Sequence, residues 1–489
     1  MTDEQTEDAK ADISKIEEQI ATRTLIGEFG GVEVSYTATA ATQIVDTDED
    51  NKAIFFYVSY TKDDADPATR PVMFAFNGGP GSSSVWLHLG FFGPKRIQFD
   101  DDGFPIGTPG RLVDNAESIL DVSDIVLIDA IGTGFSKSED DEKQKDYYNF
   151  DKDVEAFSDF MITYLNKHGR WASPKYLAGE SYGTTRGAAI AHNLYSPHGV
   201  ELNGVILISS VLNFQTIVEE RDTKLFHPGN DLPFMLHLPT YAATAWYHGQ
   251  LDEKHQSRPL REFLDEVEEF AIGPYWSALA LGDRLDGASR AGIAGTLAGY
   301  TGLSPDYIER YDLRIHIHRF CKELLREQRR TVGRIDSRYT GIDRVADGDS
   351  LENDPSTDLT GGPMTSALNH YLRKEIGFDS ESFYEAMSMK VNEAWDYESF
   401  KNRYVDTSEK LRDLLSRAPR TQVLVANGYF DLATPHFATE YTFSHMGLDE
   451  SLQKNVSMEY FEAGHMMYVH KPSRERLAAQ LREFVEATR

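Results

Sequence analysis

The sequence predicts an α/β fold with a mostly parallel central sheet and an inserted helical cap. Apolar runs of buried-strand length alternate with segments of helical periodicity, and glycine-rich turns follow several of these runs. Strand signals then almost vanish over roughly 200 residues before they return near the end of the chain. Strands that alternate with helices are typical of a parallel sheet covered on both faces.

The first part of the chain predicts a tail, a helix and then antiparallel strands. Residues 1–12 are acidic and polar and are predicted to be a flexible tail, and the isoleucines of residues 13–21 have helical spacing. Residues 32–45 and 53–60 alternate and are rich in β-branched and aromatic side chains. We expect these two segments to form antiparallel strands.

The next predicted strands end in glycine-rich turns. Residues 72–76 lead into Asn77-Gly-Gly-Pro-Gly81, and residues 123–130 lead into further glycines. A short strand before Gly179-Glu-Ser-Tyr-Gly183 is followed by a helix at 184–194. Other core elements are predicted as helices at 151–164 and 474–485 and strands at 202–209, 421–426 and 456–461.

The region between about residues 212 and 418 is predicted to be a helical cap inserted between two core strands. Its predicted helices are 239–247, 260–281, 289–299, 306–332 and 365–376, with a solvated loop at 347–363. The predicted organisation is a tail at 1–12, a first core part at 13–212, a cap at 213–418 and a second core part at 419–489.

Composition excludes several functional classes. The 489 residues include 49 Lys and Arg against 79 Asp and Glu, and the net charge of −30 argues against nucleic-acid and anionic-membrane partners. No run approaches the ~18 consecutive apolar residues of a membrane span. A single cysteine, Cys321, allows no intramolecular disulfide, and the acidic start lacks signal-peptide features, so we expect a cytoplasmic protein. Homo-oligomerisation is left open.

The segment Gly179-Glu-Ser-Tyr-Gly183 matches G-x-S-x-G, in which flanking glycines permit a strained turn that raises the serine hydroxyl above the sheet. Its predicted position between a strand and a helix is the context that the motif requires. Ser181 is therefore the candidate nucleophile, although an ordinary strand-to-helix turn is the alternative.

A nucleophilic serine needs a base, and the base needs a carboxylate that orients it. In α/β-hydrolases the chain order is serine, acid, histidine, with the last two after late strands. Asp431 and His465 follow the strands predicted at 421–426 and 456–461. Asp129 competes with Asp431, but it precedes the serine and ends an early strand.

A tetrahedral intermediate needs two backbone N–H donors. One is expected from Tyr182, directly after the nucleophile, and the other from Gly78 or Gly79 in the loop after the third strand. Glycine suits that loop because a side chain would obstruct the approach of substrate to the backbone. We expect no metal site, since His316 and His318 would lie on different sides of a predicted helix, and we expect no cofactor.

Together these motifs resemble the serine carboxypeptidases, peptidase family S10. The absence of the usual disulfides is similar to bacterial members. The resemblance implies an α/β-hydrolase fold with an inserted cap and a triad of Ser181, Asp431 and His465. The matching segments are Phe76-Asn-Gly-Gly-Pro-Gly-Ser-Ser-Ser84, Gly93-Pro94, Ile128-Asp129, Gly132-Thr-Gly-Phe-Ser136, Gly179-Glu-Ser-Tyr-Gly183, Asn427-Gly-Tyr-Phe-Asp431 and Ala463-Gly-His-Met466.

The resemblance also implies a role for residues that the triad does not need. Asn77, Gly78 and Glu180 match residues that bind the free C-terminal carboxylate of a peptide substrate, with Gly79 and Tyr182 as the oxyanion donors, and Met466 matches one that lines the leaving-residue pocket. A carboxyl can bond a carboxylate only if a proton is shared, so Glu180 should favour acidic pH. That preference conflicts with a near-neutral cytoplasm.

The resemblance implies a serine carboxypeptidase that releases C-terminal amino acids through an acyl-enzyme. An acyltransferase or esterase on the same fold is the alternative. Gly183-Thr-Thr-Arg186 departs from the family's common pattern after the nucleophile, so the acyl-side pocket is expected to differ.

Overall fold

The structure is a computed structural model that describes residues 18–46, 51–140, 142–217 and 229–489. The predicted tail, residues 1–12, and most of the helix predicted at 13–21 lie outside these ranges. Within these ranges, no helix is both long enough and apolar enough to cross a membrane.

The central sheet has ten strands among the described residues, in the order β1-β2-β3-β7-β4-β9-β10-β13-β14, with the short β8 paired to β3. Neighbouring strands from β7 to β14 along this order are parallel. The pairs β1–β2, β2–β3 and β3–β7 are antiparallel. The strands of the sheet are β1 Ile20–Phe29, β2 Val32–Val45, β3 Ala53–Lys62, β4 Val72–Phe76, β7 Asp124–Ile128, β8 Lys137–Ser138, β9 Lys175–Glu180, β10 Gly204–Ile208, β13 Gln422–Gly428 and β14 Val456–Phe461. Two small pairs lie apart, β5 Lys95–Ile97 with β6 Leu112–Asp114, and β11 Thr331–Val332 with β12 Thr340–Gly341.

Helices cover both faces of the sheet. The α-helices are α1 Val85–Leu87, α2 Phe150–Lys167, α3 Tyr182–Tyr195, α4 Leu232–Tyr247, α5 Glu253–Gln256, α6 Leu260–Phe270, α7 Trp276–Leu281, α8 Gly287–Thr301, α9 Pro305–Arg310, α10 Ile317–Glu323, α11 Pro355–His370, α12 Met389–Ala394, α13 Ser408–Arg417, α14 His436–Ser444, α15 Glu450–Gln453 and α16 Lys471–Thr488. The predicted α/β class with a mostly parallel sheet is therefore confirmed.

Alternation along β3 shows how the sheet is sandwiched. Phe55 and Tyr57 pack with α2, α3 and α13 on one face, whereas Phe56 and Val58 pack with α16 and α11 on the other. Because successive side chains of a strand point to opposite faces, one strand supplies both hydrophobic cores. This arrangement leaves the carboxyl ends of the parallel strands free to carry the site.

The predicted cap region contributes to different cores. Residues between Leu232 and Leu351 form a third hydrophobic cluster together with Tyr429, Phe430 and Leu432. Side chains of α11 and α13 instead pack against the two faces of the sheet. The boundaries predicted at 213 and 418 stay a prediction.

Several predicted elements are wrong in extent. Ile20 and Ala21 begin β1 instead of ending a helix, because they pair with β2. The helix predicted at 306–332 is broken into α9, α10 and β11, with positive φ at Asp312 and Leu313 between the two helices. The loop predicted at 347–363 is half helical, since Asp354 caps α11 by accepting from the Ser356 N–H.

Candidate active site

Ser181 occupies a sharp turn between β9 and α3. Its backbone has φ +61° and ψ −131°, a conformation that L residues rarely adopt, and its N–H donates to the carbonyl of Ile208 at 3.0 Å. A Cβ added at Gly179 would lie 2.1 Å from the carbonyl oxygen of Gly183. The turn therefore requires glycine before the serine, as the motif predicts, and a Cβ added at Gly183 would lie 3.0 Å from the carbonyl oxygen of Phe76.

His465 and Asp431 form a buried pair, with 2.7 Å between Nδ1 and the carboxylate Oδ2. Thr434 holds the same carboxylate, since its hydroxyl donates to Oδ2 at 2.6 Å and its N–H to Oδ1 at 3.0 Å. An acceptor at Nδ1 fixes the proton there and leaves Nε2 available as a base. Burial lowers the pKa of His465, but the charge and hydrogen bond of Asp431 outweigh it and raise the pKa overall.

The three residues predicted as the triad lie after parallel strands, at the carboxyl-terminal edge of the sheet. Ser181, Asp431 and His465 follow β9, β13 and β14, and β10 lies between β9 and β13. The end of β10 contacts both sides, because the Ile208 carbonyl accepts from Ser181 and the Ser209 hydroxyl donates to the carbonyl of His465 at 2.6 Å. Asp129, the competing acid, instead accepts from the Tyr384 hydroxyl and the Ser84 N–H.

The glycine-rich loop after β4 lies against the serine turn. A Cβ added at Gly78 would meet the backbone nitrogens of Gly183 and Tyr182 at 2.3 and 2.6 Å. Gly79 follows with φ +103°, a region that favours glycine. Tyr182 begins α3, and the first N–H groups of a helix have no acceptor within it. The two predicted donor segments are thus adjacent, next to the nucleophile.

Glu180 is buried immediately before the serine and is held by two side chains. The Asn77 amide donates to Oε1 at 2.9 Å and the Tyr468 hydroxyl donates to Oε2 at 2.6 Å. Burial raises the pKa of Glu180 to about 7, although His465 and the hydrogen bonds from Tyr468 and Asn77 act in the opposite direction. Near neutral pH this carboxyl is therefore protonated in much of the population.

Sequence reasoning missed the roles of two residues that hold the site, Tyr468 and Arg186. Tyr468 is the second partner of Glu180. Arg186, which is fully buried, donates to Asp153 at 2.6 Å and to the backbone carbonyl of Asn77 at 2.8 Å. Its guanidinium also lies 5.3 Å from the ring centre of Tyr182. The departure from the family pattern at Arg186 is the available signal, but its contact with Asn77 crosses 109 positions of sequence.

Met466, predicted to line the leaving-residue pocket, is buried in one hydrophobic cluster with Met467 and Tyr468. Its role in the pocket stays a prediction. The rings of His316 and His318 stack with centroids 6.0 Å apart. A separate group, Glu268, His436 and Glu440, brings three metal-ligating side chains together, although the sequence predicts no metal.

Comparisons with known proteins support one family. The family model described as serine carboxypeptidase matches residues 35–259. Carboxypeptidase Y of Saccharomyces cerevisiae is 33% identical over 150 residues, which cover 29% of this chain and 25% of that protein. Serine carboxypeptidase-like 16 of Arabidopsis thaliana is 27% identical over 175 residues, which cover 34% of this chain and 39% of that protein. The chain thus spans well under half the length of these curated relatives.

One solved structure matches nearly the whole chain. The crystal structure of KEX1Δp, a prohormone-processing carboxypeptidase from S. cerevisiae, superposes with a TM-score of 0.55 at 18% identity and covers 92% of each chain. This likeness shows a common fold, and the predicted α/β-hydrolase fold is confirmed. These relatives are fungal and plant proteins, so the similarity to bacterial members stays a prediction. Over residues 35–259, the segment that carries Ser181 and its glycine-rich loop, the chain is therefore similar to the serine carboxypeptidase family, peptidase family S10.

Proposed function

We propose that this chain is a serine carboxypeptidase that releases the last residue of peptides with a free C-terminus. The observation that carries the proposal is the buried carboxyl of Glu180, which lies beside the nucleophile and is held by Asn77 and Tyr468. The triad alone serves many hydrolases. A protonated carboxyl beside it is suited to a substrate that ends in a carboxylate.

In the proposed acylation step, Nε2 of His465 removes the proton of Ser181 as Oγ attacks the last peptide carbonyl. Asp431 keeps the imidazole oriented and stabilises its positive charge. The backbone N–H groups of Gly79 and Tyr182 receive the oxyanion. His465 then returns the proton to the departing amine, and the C–N bond breaks.

Deacylation reverses the roles with water. His465 takes a proton from water as the hydroxide adds to the acyl-enzyme carbonyl, and the proton returns to Oγ of Ser181 as the C–O bond breaks. The products are the shortened peptide and one free amino acid. Every proton is accounted for by His465, so the step needs no group beyond water.

The carboxylate of the substrate would bind at Asn77, Gly78 and Glu180. The proton on Glu180 would be donated to that carboxylate, and the Asn77 amide and the N–H of Gly78 would complete its hydrogen bonds. Arg186 would keep this end of the site in place, because it holds the backbone of Asn77 from behind. Because these groups would bind the carboxylate at the chain end, the last peptide bond would be the one cleaved, and the enzyme would be an exopeptidase.

The test compares a blocked dipeptide with its C-terminal amide, from about pH 4 to about pH 8, so as to bracket the carboxyl and histidine titrations. We expect release of the amino acid from the free acid only, and Ser181→Ala to reduce it by at least about 10³-fold. Ser444→Ala, at an exposed serine of α14, is the control and should keep wild-type activity.

Two outcomes would overturn the proposal. Cleavage of neither peptide with Ser181-dependent hydrolysis of an ester would favour an esterase or acyltransferase. Equal cleavage of the acid and the amide would remove the role of Glu180 in recognising the chain end.

We also propose a cytoplasmic location, supported by the single, buried Cys321. A pKa near 7 for Glu180 removes the conflict between a protonated carboxyl and a near-neutral compartment. Cell fractionation tests the location, and activity outside the cell would contradict it.

A further inference from the structure

Three side chains of metal-ligand type, none of them a triad residue, converge between α6 and α14. His436 and Glu440 lie one turn apart on α14, and Glu268 projects from α6. One ligand atom from each lies within 4.8 Å of the others. We call this group the α6–α14 cluster. None of its members has a part in the proposed reaction.

The distances suit a dication. Nε2 of His436 and Oε1 of Glu268 share a hydrogen bond of 3.2 Å, whose proton a bound ion would replace. Two ligands bound to Zn²⁺ at about 2.1 Å in tetrahedral geometry stand roughly 3.4 Å apart. The histidine and the glutamate are therefore already spaced as neighbouring zinc ligands, and Glu440 completes three protein ligands with one position left for water.

Partners behind the cluster hold each ligand, as the outer shell of a metal site does. Arg261 donates to Oε2 of Glu268 at 2.5 Å, which leaves Oε1 turned to His436. Nδ1 of His436 lies 3.4 Å from the Thr240 hydroxyl, and the Tyr460 hydroxyl bonds Glu440. A proton on Nδ1 would leave Nε2 free to bind a metal.

The cluster lies at the boundary between the core and the solvent. The His436 side chain is fully buried, whereas Arg261 is 40% exposed, so the cluster is closed towards the core and open to solvent on one side.

We propose that the α6–α14 cluster binds one divalent transition-metal ion of zinc type. One imidazole and two carboxylates form a donor set that zinc accepts. The ion would tie α6, in the 232–351 region, to the helix that follows the Asp431 loop. Its effect would be on stability, because the site lies outside the reacting groups.

The test uses tag-free full-length protein, stripped with a chelator, dialysed and titrated with ZnCl₂ by calorimetry, with zinc content measured by elemental analysis. We expect one ion per chain and a higher thermal midpoint with zinc. Glu440→Gln and Glu268→Gln should each weaken zinc binding by at least about tenfold and abolish the rise in the midpoint.

The matched control is His192→Gln. His192 also contacts a carboxylate, with Nε2 3.0 Å from Asp413, but at the surface and outside the cluster. This variant should bind zinc as the wild type does. No bound zinc in the wild type, or equal binding in Glu440→Gln, would overturn the proposal. Binding is measured without substrate, so its failure is distinct from failure of the peptidase assay.

Discussion

At the scale of single residues, Glu180 has a carboxyl that solvent does not reach. Burial raises its pKa to about 7, so it is protonated below that pH and ionised above it. The protonated form can donate to a substrate carboxylate, whereas the ionised form repels it. Binding of a free chain end is therefore lost as pH rises through about 7.

We expect Glu180→Gln to remove this dependence, because a glutamine amide donates without titrating. In the wild type, kcat/KM for a free-acid peptide should fall about tenfold per pH unit above the Glu180 pKa, and in the variant it should stay level. The measurement is kcat/KM from about pH 5 to about pH 9. A neutral ester substrate is the control, and its alkaline limb should be the same in both proteins. An unchanged peptide profile in Glu180→Gln would refute the shared proton.

The residues of the site differ in how far sequence could identify them. The pairing of Asp431 with His465 could be predicted, because each ends a strand and the order of the strands along the chain limits the choice. Tyr468 and Arg186 could not. Their hydrogen bonds to Glu180 and Asn77 span 288 and 109 positions, and no short motif records such contacts.

At the scale of elements, the loop after β4 and the turn before α3 fit together only without a side chain at Gly78. An added Cβ would overlap two backbone nitrogens, and backbone cannot move aside as a flexible side chain can. The oxyanion donors depend on this contact, because it sets the distance between the two segments.

We therefore expect Gly78→Ala to lower kcat by about 10²- to 10³-fold, the loss typical of one missing oxyanion donor. Gly295→Ala is the control, since a Cβ there meets nothing within 4 Å. Thermal midpoints measured on both variants distinguish a displaced loop from an unfolded one. Near wild-type kcat in a folded Gly78→Ala protein would show that the loop does not supply the donor.

Strands were predicted most accurately from the sequence where all of their residues are buried. The strands β4, β7 and β10 are buried along their whole length and give the apolar runs that sequence reasoning recognises. β1 is mostly exposed and gives no such run, so sequence periodicity predicts a helix at its start. The break between α9 and α10 depends on positive φ at Asp312 and Leu313, and these residue types do not signal it.

At the scale of the whole molecule, the net charge of −30 causes repulsion among acidic groups, which destabilises the folded state. The Debye screening length falls from about 10 Å at 0.1 M salt to about 3 Å at 1 M salt. We expect the thermal midpoint to rise by about 2 °C or more between these NaCl concentrations, as repulsion outweighs the surface ion pairs. Scanning calorimetry measures it. A midpoint that falls with salt would show that attractive pairs dominate.

The overall fold class could be predicted from the alternation of strands and helices, but the grouping of the hydrophobic cores could not. Residues 232–351 and α11 both read as helical segments of one inserted region. Their partners differ, because α11 packs on the sheet while the earlier helices pack on Phe430 and Leu432. Which face of a helix meets which neighbour is a long-range property that periodicity does not record.

The sharing of Phe430 and Leu432 with the 232–351 core constrains how a peptide could enter. These two residues are the neighbours of Asp431 in the chain. A movement of the 232–351 region away from the sheet would expose them to water and would displace the Asp431 carboxylate from His465. Opening of the 232–351 region would therefore misalign the catalytic pair, so catalysis requires that region to stay closed.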